Sequence, residues 1–415
     1  MQLCMCEMLG VGVSMQYKKI VFVTYGGGHA RMLAPVVESL SQVKGIEVSV
    51  LALTTAMMEF DDQSIRLYGY KDFFYENPRV IKYGEILAKD LDTVVDYEET
   101  VAYLGQNYLE LVDDIGEDKA NKKYKKLGRQ AFEPKKSLNK ILKVIAPDLV
   151  VATNSPRSEK AAIQAARDLN MPSVALIDMF SIRCESWFSK TNYADKILVL
   201  SESVKKHLIS IGRDEASIVV TGNPAFDSLV RNYTVNRKEI ITKKSNLPFT
   251  VLWASQREPE YCQETNLYGD TELPIKLENT LLKIFEKHSN WQLIARNHPS
   301  EAPREYPDFV KKSSQSEDLV ELLSNVHVVV TLTSTVGFQG GILGADFITV
   351  DCSVFTPTMP FSEMGFSVGV QSVTDVEKEL EKLYENMNTN NSKSIYCIED
   401  ATQRVVKEIL TMMRI

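Results

Sequence analysis

Short runs of β-branched and aliphatic residues alternate with helix-length stretches of mixed polarity along the first half of the chain. Continuous apolar runs of this size are typical of buried parallel strands. The pattern predicts strands at residues 18–24, 47–53, 147–153, 173–177, 196–200 and 217–221. It predicts helices at residues 31–42, 158–170 and 203–211. Regular alternation of strand and helix predicts a doubly wound α/β sheet.

A second series of strands follows a polar segment at residues 223–246, which we interpret as the crossing between two halves. The strands of this series are predicted at residues 250–254, 291–296, 327–331 and 346–350. The chain is therefore predicted to form two Rossmann-like doubly wound domains, residues 15–232 and 233–415, the second ending in an amphipathic helix. Residues 66–143 have a helical pattern and are interpreted as a helical insertion in the first domain.

Composition and charge narrow the class of protein. The 415 residues include 47 Lys and Arg against 55 Asp and Glu, a net charge of −8, which argues against a general nucleic-acid binder. The sequence has no apolar stretch of bilayer-spanning length. Six cysteines without metal-ligand spacing favour a reduced cytoplasm and argue against structural zinc. Residues 1–14 are interpreted as a leader without signal-peptide features, and either Met1 or Met15 is a candidate start.

The first candidate site follows the first predicted strand. Gly27 and Gly28 allow a ligand to approach the backbone closely, and the helix behind them favours a phosphate or carboxylate. His29 lies at that junction and can act as a general base near neutral pH. A tight turn with a capping histidine explains the same residues.

Three loops of the second half also follow predicted strands. In residues 296–301 (RNHPSE), His298 can donate to a phosphate oxygen. In residues 331–337 (TLTSTVG), Ser334 and Thr335 at a helix start can cradle a diphosphate, or simply cap the helix. In residues 254–259, Arg257 can pair with a phosphate or with the neighbouring Glu258 and Glu260.

A basic run between Lys119 and Lys143 stands out on an acidic chain. Ten of its residues are Lys or Arg, against a single Glu133 in its interior. Such an excess can face an anionic membrane or an anionic acceptor, although a charge run is usually a solvated helix face. The cysteine usage thus predicts a cytoplasmic location, and the basic run adds contact with the inner face of the membrane as a minor hypothesis.

These pieces resemble the GT-B superfamily, the two-domain nucleotide-sugar glycosyltransferases of bacteria that are related to UDP-N-acetylglucosamine 2-epimerases. Residues 25–35 (YGGGHARMLAP) are similar to the first glycine-rich loop, and residues 221–227 (TGNPAFD) to the segment that precedes the second domain. The His-Pro pair at 298–299 and the Ser-rich stretch at 334–344 resemble motifs of enzymes that build surface polymers. The resemblance implies a nucleotide in the C-terminal domain, an acceptor in the N-terminal domain and an active site in the cleft that they face.

The chain also departs from these relatives. Where the epimerases have acidic residues after two strands, this chain has residues 153–156 (TNSP) and 178–181 (DMFS), which makes epimerase chemistry less favoured. Gln339 stands where many relatives have a Glu for the ribose hydroxyls, and Glu363 is a candidate replacement.

The leading hypothesis is an inverting, metal-independent glycosyltransferase that needs no cofactor. His29 would deprotonate the acceptor hydroxyl, while His298, Ser334 and Thr335, assisted by Arg257, would stabilise the leaving diphosphate. The expected partners are a nucleotide-sugar donor, with UDP-sugar preferred, and a saccharide or lipid-linked acceptor. The alternatives are an epimerase or hydrolase of UDP-N-acetylglucosamine and a noncatalytic sugar-nucleotide-binding module. The sequence leaves the base, the sugar, the acceptor and the oligomeric state open.

Overall fold

The computed structural model describes residues 17–60, 65–91, 93–178, 193–262, 265–387 and 399–415. The leader predicted at residues 1–14 lies outside these ranges, as do Met179–Ser181 of the second departure from the epimerases. Among the described residues, two large sheets carry the fold, one in each half of the sequence.

The N-terminal sheet contains seven strands among the described residues. They are β1 (Lys18–Tyr25), β2 (Ile46–Leu53), β3 (Arg66–Tyr68), β4 (Leu149–Ala152), β5 (Ser173–Ile177), β6 (Lys196–Val199) and β7 (Ile218–Val220). Their order is β3-β2-β1-β4-β5-β6-β7, and β1 pairs in parallel with both β2 and β4. Ile20, Val21, Phe22 and Val23 are fully buried, as expected of a central strand covered by helices on both faces.

The helices of this half follow the strands or form a cluster between β3 and β4. They are α1 (Gly27–Ser41), α2 (Lys71–Phe74), α3 (Pro78–Ala88), α4 (Tyr97–Ile115), α5 (Glu117–Leu127), α6 (Lys135–Ile145), α7 (Ser158–Asp168) and α8 (Glu202–Ser210). Short 3₁₀ segments lie at Thr54–Glu59, Gly128–Ala131, Glu215–Ser217, Pro224–Phe226 and Val373–Asp375.

The helical pattern predicted from residue 66 is wrong at its start. Arg66–Tyr68 is the edge strand β3, which pairs in parallel with β2. Three residues are too few to show a period, so the sequence could not separate this strand from the helices after it. From α2 to α6 the interval is helical, and α4 alone has 19 residues, most of them buried.

The C-terminal sheet contains six strands among the described residues. A long helix, α9 (Asp227–Ser245), occupies the segment interpreted as a crossing and leads into this sheet. Its strands are β8 (Phe249–Ala254), β11 (Trp291–Arg296), β12 (Val310–Lys312), β13 (Val328–Thr331), β14 (Asp346–Val350) and β15 (Val368–Val370). The order is β12-β11-β8-β13-β14-β15, and each pair is parallel. A two-stranded antiparallel hairpin, β9 (Tyr261–Cys262) and β10 (Leu267–Tyr268), follows β8.

Helices cover both faces of the C-terminal sheet. They are α9, α10 (Leu273–Lys287), α11 (Leu319–Ser324), α12 (Thr335–Ile342) and α13 (Val376–Asn386). A further helix, α14 (Ala401–Met413), follows them in sequence. Trp253 and Val251 face one apolar cluster and Leu252 faces the other, so alternate residues of β8 contribute to the two layers.

The two doubly wound α/β sheets confirm the predicted fold class. The predicted strands agree with the observed ones within about two residues, whereas the short strands β12 and β15 were missed, as β3 was. By packing, the chain divides into one unit that ends at Ser173 and takes in Ile409–Ile415, and another that spans Val174–Glu408. The domain boundary at residue 232 stays a prediction. Every helix in the described part of the chain is too short or too polar to span a bilayer.

Candidate functional site

Each sheet has a point at which the strand order reverses. In the N-terminal sheet β1 lies between β2 and β4, and in the C-terminal sheet β8 lies between β11 and β13. Open parallel sheets bind ligands beyond the carboxyl ends of the strands at such a reversal. The loops after β1 and β4, and those after β8 and β13, are therefore the candidate binding elements of the two sheets.

The loop after β1 is shorter than predicted. Gly26 has φ 78° and ψ 162°, a conformation that favours glycine, and α1 begins at Gly27 rather than at residue 31. Gly27 and Gly28 thus form the first turn of α1, whose leading backbone N–H groups have no helical partner. A Cβ atom on Gly28 would meet no atom within 4 Å, so this turn is open to an approaching group.

His29 is half-buried in this first turn. Arg31, two residues on, is engaged by a carboxylate: its Nε lies 3.1 Å from Oε1 of Glu59. That ion pair leaves His29 as the side chain of the turn that is suited to proton transfer.

A buried carboxylate, Glu159, interacts with His29. Glu159 is the second residue of α7, which follows β4, and its side chain is completely buried. The hydroxyl of Thr153, at the end of β4, donates to Oε1 of Glu159 over 3.3 Å. Burial raises the pKa of the Glu159 carboxyl, and a positive charge on His29 acts in the opposite direction. The strands β1 and β4 are neighbours, so the fold brings the helix starts that carry His29 and Glu159 to the point where the strand order reverses.

Sequence reasoning missed Glu159. Directly after the strand, at residues 153–156, the chain has no acidic residue, and Asn154 and Ser155 are buried there. The carboxylate lies one helical turn further on. A Glu in the first turn of a helix is common because it complements the helix dipole, so its type and position gave no signal of function.

In the C-terminal sheet, Gln256 joins the loops after β8 and β13. Its Nε2 donates to Oγ1 of Thr333 over 2.9 Å, and its Oε1 accepts from the backbone N–H of Thr333 over 2.9 Å. Both side chains are buried. This reciprocal pair fixes the two loops at the reversal point of this sheet, and sequence reasoning did not single it out.

His298 lies in the loop after β11 and is exposed. The backbone N–H of Ser300 donates to Nδ1 of His298 over 3.1 Å, so in the neutral ring Nε2 carries the proton. The backbone N–H of His298 donates to Oε2 of Glu301 over 2.8 Å, and Glu301 is held in turn by Arg304. The loop therefore presents Nε2–H of His298 as a donor to an incoming group.

Ser334 is the N-cap of α12. Its Oγ accepts from the backbone N–H of Val336 over 3.3 Å, which is the capping role that the sequence allowed. Thr335 is the first residue of the helix, and Gly337 packs so closely on Phe347 that a Cβ there would lie 1.9 Å from a ring atom. Gly337 therefore allows the N-terminal turn of α12 to pack closely against Phe347 of β14.

The neighbouring side chains of Arg257 and Glu258 have different environments in the structure. Arg257 is exposed and forms no ion pair with another described residue, so the pairing with Glu258 or Glu260 allowed by the sequence is wrong. Glu258 is buried and accepts from Oγ of Ser353 over 2.8 Å and from the backbone N–H of Val354 over 2.7 Å. It ties the loop after β8 to the loop after β14 and leaves the Arg257 guanidinium available to an anion.

The two residues considered for the ribose lie on different elements. Gln339 is half-buried in the second turn of α12, and Glu363 is exposed in the loop between β14 and β15. Their part in binding stays a prediction.

The segment TGNPAFD has a structural role. The side chain of Asn223 accepts from the backbone N–H of Ala225 over 2.9 Å. The carboxylate of Asp227 accepts from the backbone N–H groups of Ala401 and Thr402 over 2.9 and 2.7 Å, at the start of α14. The motif thus anchors the last helix.

The basic run lies on α5 and α6. Lys135 and Lys136 pair with Asp168 and Asp114, whereas Lys119 and Lys122 are exposed on α5. Contact with a membrane or an anionic acceptor stays a prediction. Among the described residues, His288 with Glu377 and Glu381 is the group with spacing suited to a metal ion, and it lies before β11, away from the loops described above.

Comparison with known proteins identifies the fold. No protein-family model and no curated protein sequence matches the chain. Solved structures do match it over nearly its whole length. The Staphylococcus aureus MnaA protein with UDP is 17% identical, with a TM-score of 0.59 over 96% of this chain and 97% of that one.

Two further structures agree. A UDP-N-acetylglucosamine 2-epimerase of Neisseria meningitidis bound to its UDP-sugar is 15% identical, with a TM-score of 0.57 over 95% of this chain and 100% of that one. A glycosyltransferase of Rickettsia africae is 12% identical, with a TM-score of 0.54 over 96% and 98%. The chain has the GT-B fold that these proteins share, as the sequence resemblance implied.

Proposed function

We propose that this protein is an inverting glycosyltransferase that moves a sugar from a nucleotide-sugar donor to an acceptor hydroxyl. The observation that carries the proposal is that His29 in the first turn of α1 and the buried Glu159 in the first turn of α7 follow the neighbouring strands β1 and β4 and interact electrostatically. A histidine backed by a carboxylate is suited to take one proton from a hydroxyl at neutral pH.

The reaction needs one proton transfer and one displacement. His29 takes the proton of the acceptor hydroxyl as its oxygen forms a bond to the anomeric carbon. The bond between that carbon and the diphosphate breaks on the opposite face, and the nucleoside diphosphate leaves with the electron pair. Glu159 stabilises the imidazolium that results, because a negative partner in a buried site interacts strongly with a new positive charge.

The leaving diphosphate is assigned to the C-terminal sheet. Donors and positive charge for the diphosphate come from three groups. They are Nε2–H of His298, the N-terminus of α12 with Ser334 and Thr335, and the exposed guanidinium of Arg257. Gln256 holds two of these loops in place. Gln339 and Glu363 remain the proposed partners of the ribose.

UDP is the proposed nucleotide. Support comes from structures with the same fold whose printed ligands are UDP or UDP-N-acetylglucosamine. A lipid-linked or soluble saccharide is the proposed acceptor.

A second candidate is an epimerase or hydrolase that acts on the UDP-sugar alone. Several proteins with this fold are UDP-N-acetylglucosamine 2-epimerases. The sequence directly after β4 indicated no acidic residue. Glu159 nevertheless supplies a buried carboxyl of raised pKa that interacts electrostatically with His29. Such a group can return a proton to a sugar carbon, which favours this alternative more than the sequence did.

Replacing His29 tests its catalytic role. His29→Asn should reduce turnover of a UDP-sugar by roughly 10² or more, the usual contribution of a general base. Its affinity for UDP, measured by thermal shift, should stay unchanged because the diphosphate contacts belong to the other sheet. His298→Ala should show the reverse pattern, with UDP affinity lost first.

His207→Asn on α8 is the matched control and should leave both measurements unchanged. Near-normal turnover in His29→Asn would remove His29 from the reaction, under either candidate function.

A further inference from the structure

In the described part of the N-terminal half, Arg157 and Arg129 have no carboxylate partner. Cζ of Arg157 lies 4.5 Å from the ring centroid of Tyr25, the last residue of β1. Nε of Arg157 is buried and has no hydrogen-bond acceptor in the part of the chain that the structure describes. Arg129, in the 3₁₀ segment before α6, is half-buried and pairs with no carboxylate among the described residues. By contrast, the guanidiniums of Arg31 and Arg79 contact the carboxylates of Glu59 and Asp113.

The two guanidiniums act on one tyrosine. Tyr103 of α4 is buried, and its ring lies 6.0 Å from that of Tyr25. Burial raises the pKa of the Tyr103 phenol, while the positive charges of Arg157 and Arg129 both act in the opposite direction. Tyr103 therefore marks a point that both charges reach, beside the strand end that leads into His29.

A half-buried cation without a counter-ion is costly unless a ligand supplies the anion. Guanidinium groups bind carboxylates and phosphates with two parallel hydrogen bonds, and a tyrosine ring offers an apolar face to the rest of a ligand. Both features lie on the sheet that carries the proposed base.

We propose that the acceptor carries an anionic group, a carboxylate or a phosphate, which Arg157 and Arg129 hold so that a neighbouring hydroxyl faces His29. This deepens the proposed function and rests on it in assigning the anion to the acceptor. The same chemistry could come from the donor diphosphate, so the experiment must separate the two sources.

The experiment measures binding without turnover. Saturation-transfer NMR titrations compare glucuronate, glucose 6-phosphate and neutral glucose on the full chain in the presence of saturating UDP. At least one anionic sugar should bind about tenfold more tightly than glucose. Which of the two binds more tightly distinguishes a carboxylate acceptor from a phosphorylated one.

Variants locate the anion. Arg157→Gln and Arg129→Gln should each weaken binding of the anionic sugar about tenfold and leave the affinities for glucose and UDP unchanged. Arg157→Lys keeps the positive charge but cannot donate two parallel hydrogen bonds, so its affinity for the anionic sugar should lie between those of the wild type and Arg157→Gln. Arg66→Gln is the matched control, because Arg66 lies 4.8 Å over the ring of Tyr68 at the sheet edge and should have no effect.

Three outcomes would overturn the proposal. Equal affinity for glucose and both anions, or no binding of either anion, removes the anionic acceptor. A loss of UDP affinity in Arg157→Gln assigns the arginines to the donor. Unchanged binding of the anionic sugar, and unchanged transfer to it, in Arg157→Gln removes the inference and leaves the transferase intact, whereas selective loss of anion binding in a protein that transfers no sugar retains the binding site and removes the transferase.

Discussion

At the scale of single residues, Glu159 combines a cost in stability with a benefit to His29. Its carboxyl is completely buried and its pKa is raised by that burial. The folded protein therefore holds a proton that the unfolded chain releases near the ordinary value of 4.5. As pH rises through that interval the folded state loses stability relative to the unfolded state, and above the folded pKa the loss is complete.

Glu159→Gln separates these two effects. Gln keeps an oxygen that accepts from Thr153 but has no charge to bury, so the variant should melt at an equal or higher temperature than the wild type at pH 8. The difference should shrink as pH falls toward 4.5. Turnover should drop by roughly tenfold or more, since His29 loses its negative partner.

Glu99→Gln is the control for that prediction. Glu99 is a second buried carboxyl, with its pKa raised to about 7 by burial, but it accepts from the backbone of Tyr70 and Lys71 instead of facing His29. Its replacement should change the pH dependence of stability without the same loss of turnover. A Glu159→Gln enzyme with full activity would show that the carboxylate does not assist His29.

Residue chemistry was partly readable from the sequence. His29 and His298 stood out because each follows a strand and precedes a helix or turn, which is where ligands bind in such sheets. Glu159 and Gln256 did not, because their partners are distant in sequence or belong to another strand. Arg157 and Arg129 lie 28 residues apart in the chain and converge only through the fold.

At the scale of elements, α3 and α4 cross with unusually close backbones. A Cβ on Gly105 would lie 1.9 Å from the carbonyl oxygen of Val80, and one on Gly84 would lie 2.1 Å from that of Val101. Glycine is required here by close approach rather than by a turn. The crossing fixes α4, the helix that carries Tyr103, whose ring lies 6.0 Å from that of Tyr25.

Gly105→Ala should separate the two helices. The extra methyl group has backbone atoms in its way, so the free energy of unfolding should fall by about 2 kcal/mol or more in a denaturant titration. Gly28→Ala is the matched control, because its Cβ meets nothing within 4 Å and alanine gains up to about 1 kcal/mol in a helix. Equal stabilities for the two variants would contradict the close crossing.

The Gln256–Thr333 pair makes an element-scale prediction as well. Gln256→Ala leaves the buried N–H and hydroxyl of Thr333 without their partner, at a cost of about 1–2 kcal/mol in stability. The loops after β8 and β13 should then be less fixed, and UDP affinity should fall. Unchanged affinity, measured by calorimetry, would mean that these loops do not hold the nucleotide.

Element prediction succeeded where the apolar runs were long. The central strands β1, β8 and β14 were found because a continuous run of β-branched residues needs burial on both faces. Among the described residues, three of the four edge strands of the two large sheets, β3, β12 and β15, were missed, because each has three residues and is held by one neighbour, so that tertiary pairing decides them more than local pattern does. The fourth, β7, is equally short but consists of three β-branched residues, Ile218–Val220, and was predicted.

At the scale of the whole molecule, the two sheets repeat one strand order. In each, the first strand of the series lies beside the second and the fourth, which gives each sheet its own reversal point. Identities of 12 to 17% with structures of TM-score 0.54 to 0.59 show that the fold is kept at low sequence identity. The sequence therefore predicted the fold, whereas the reaction stays a prediction.

The reaction itself can be followed directly. UDP-N-acetylglucosamine incubated with the purified protein, with and without an anionic saccharide acceptor, gives distinct ³¹P and ¹H NMR signals for UDP, the epimer and a new glycoside. We expect UDP and a glycoside of inverted anomeric configuration to form only when acceptor is present, and to form at least 10²-fold more slowly with His29→Asn. UDP or a C2 epimer formed without acceptor would contradict the transferase and favour the epimerase or hydrolase, and no reaction in either sample would contradict UDP-N-acetylglucosamine as the donor.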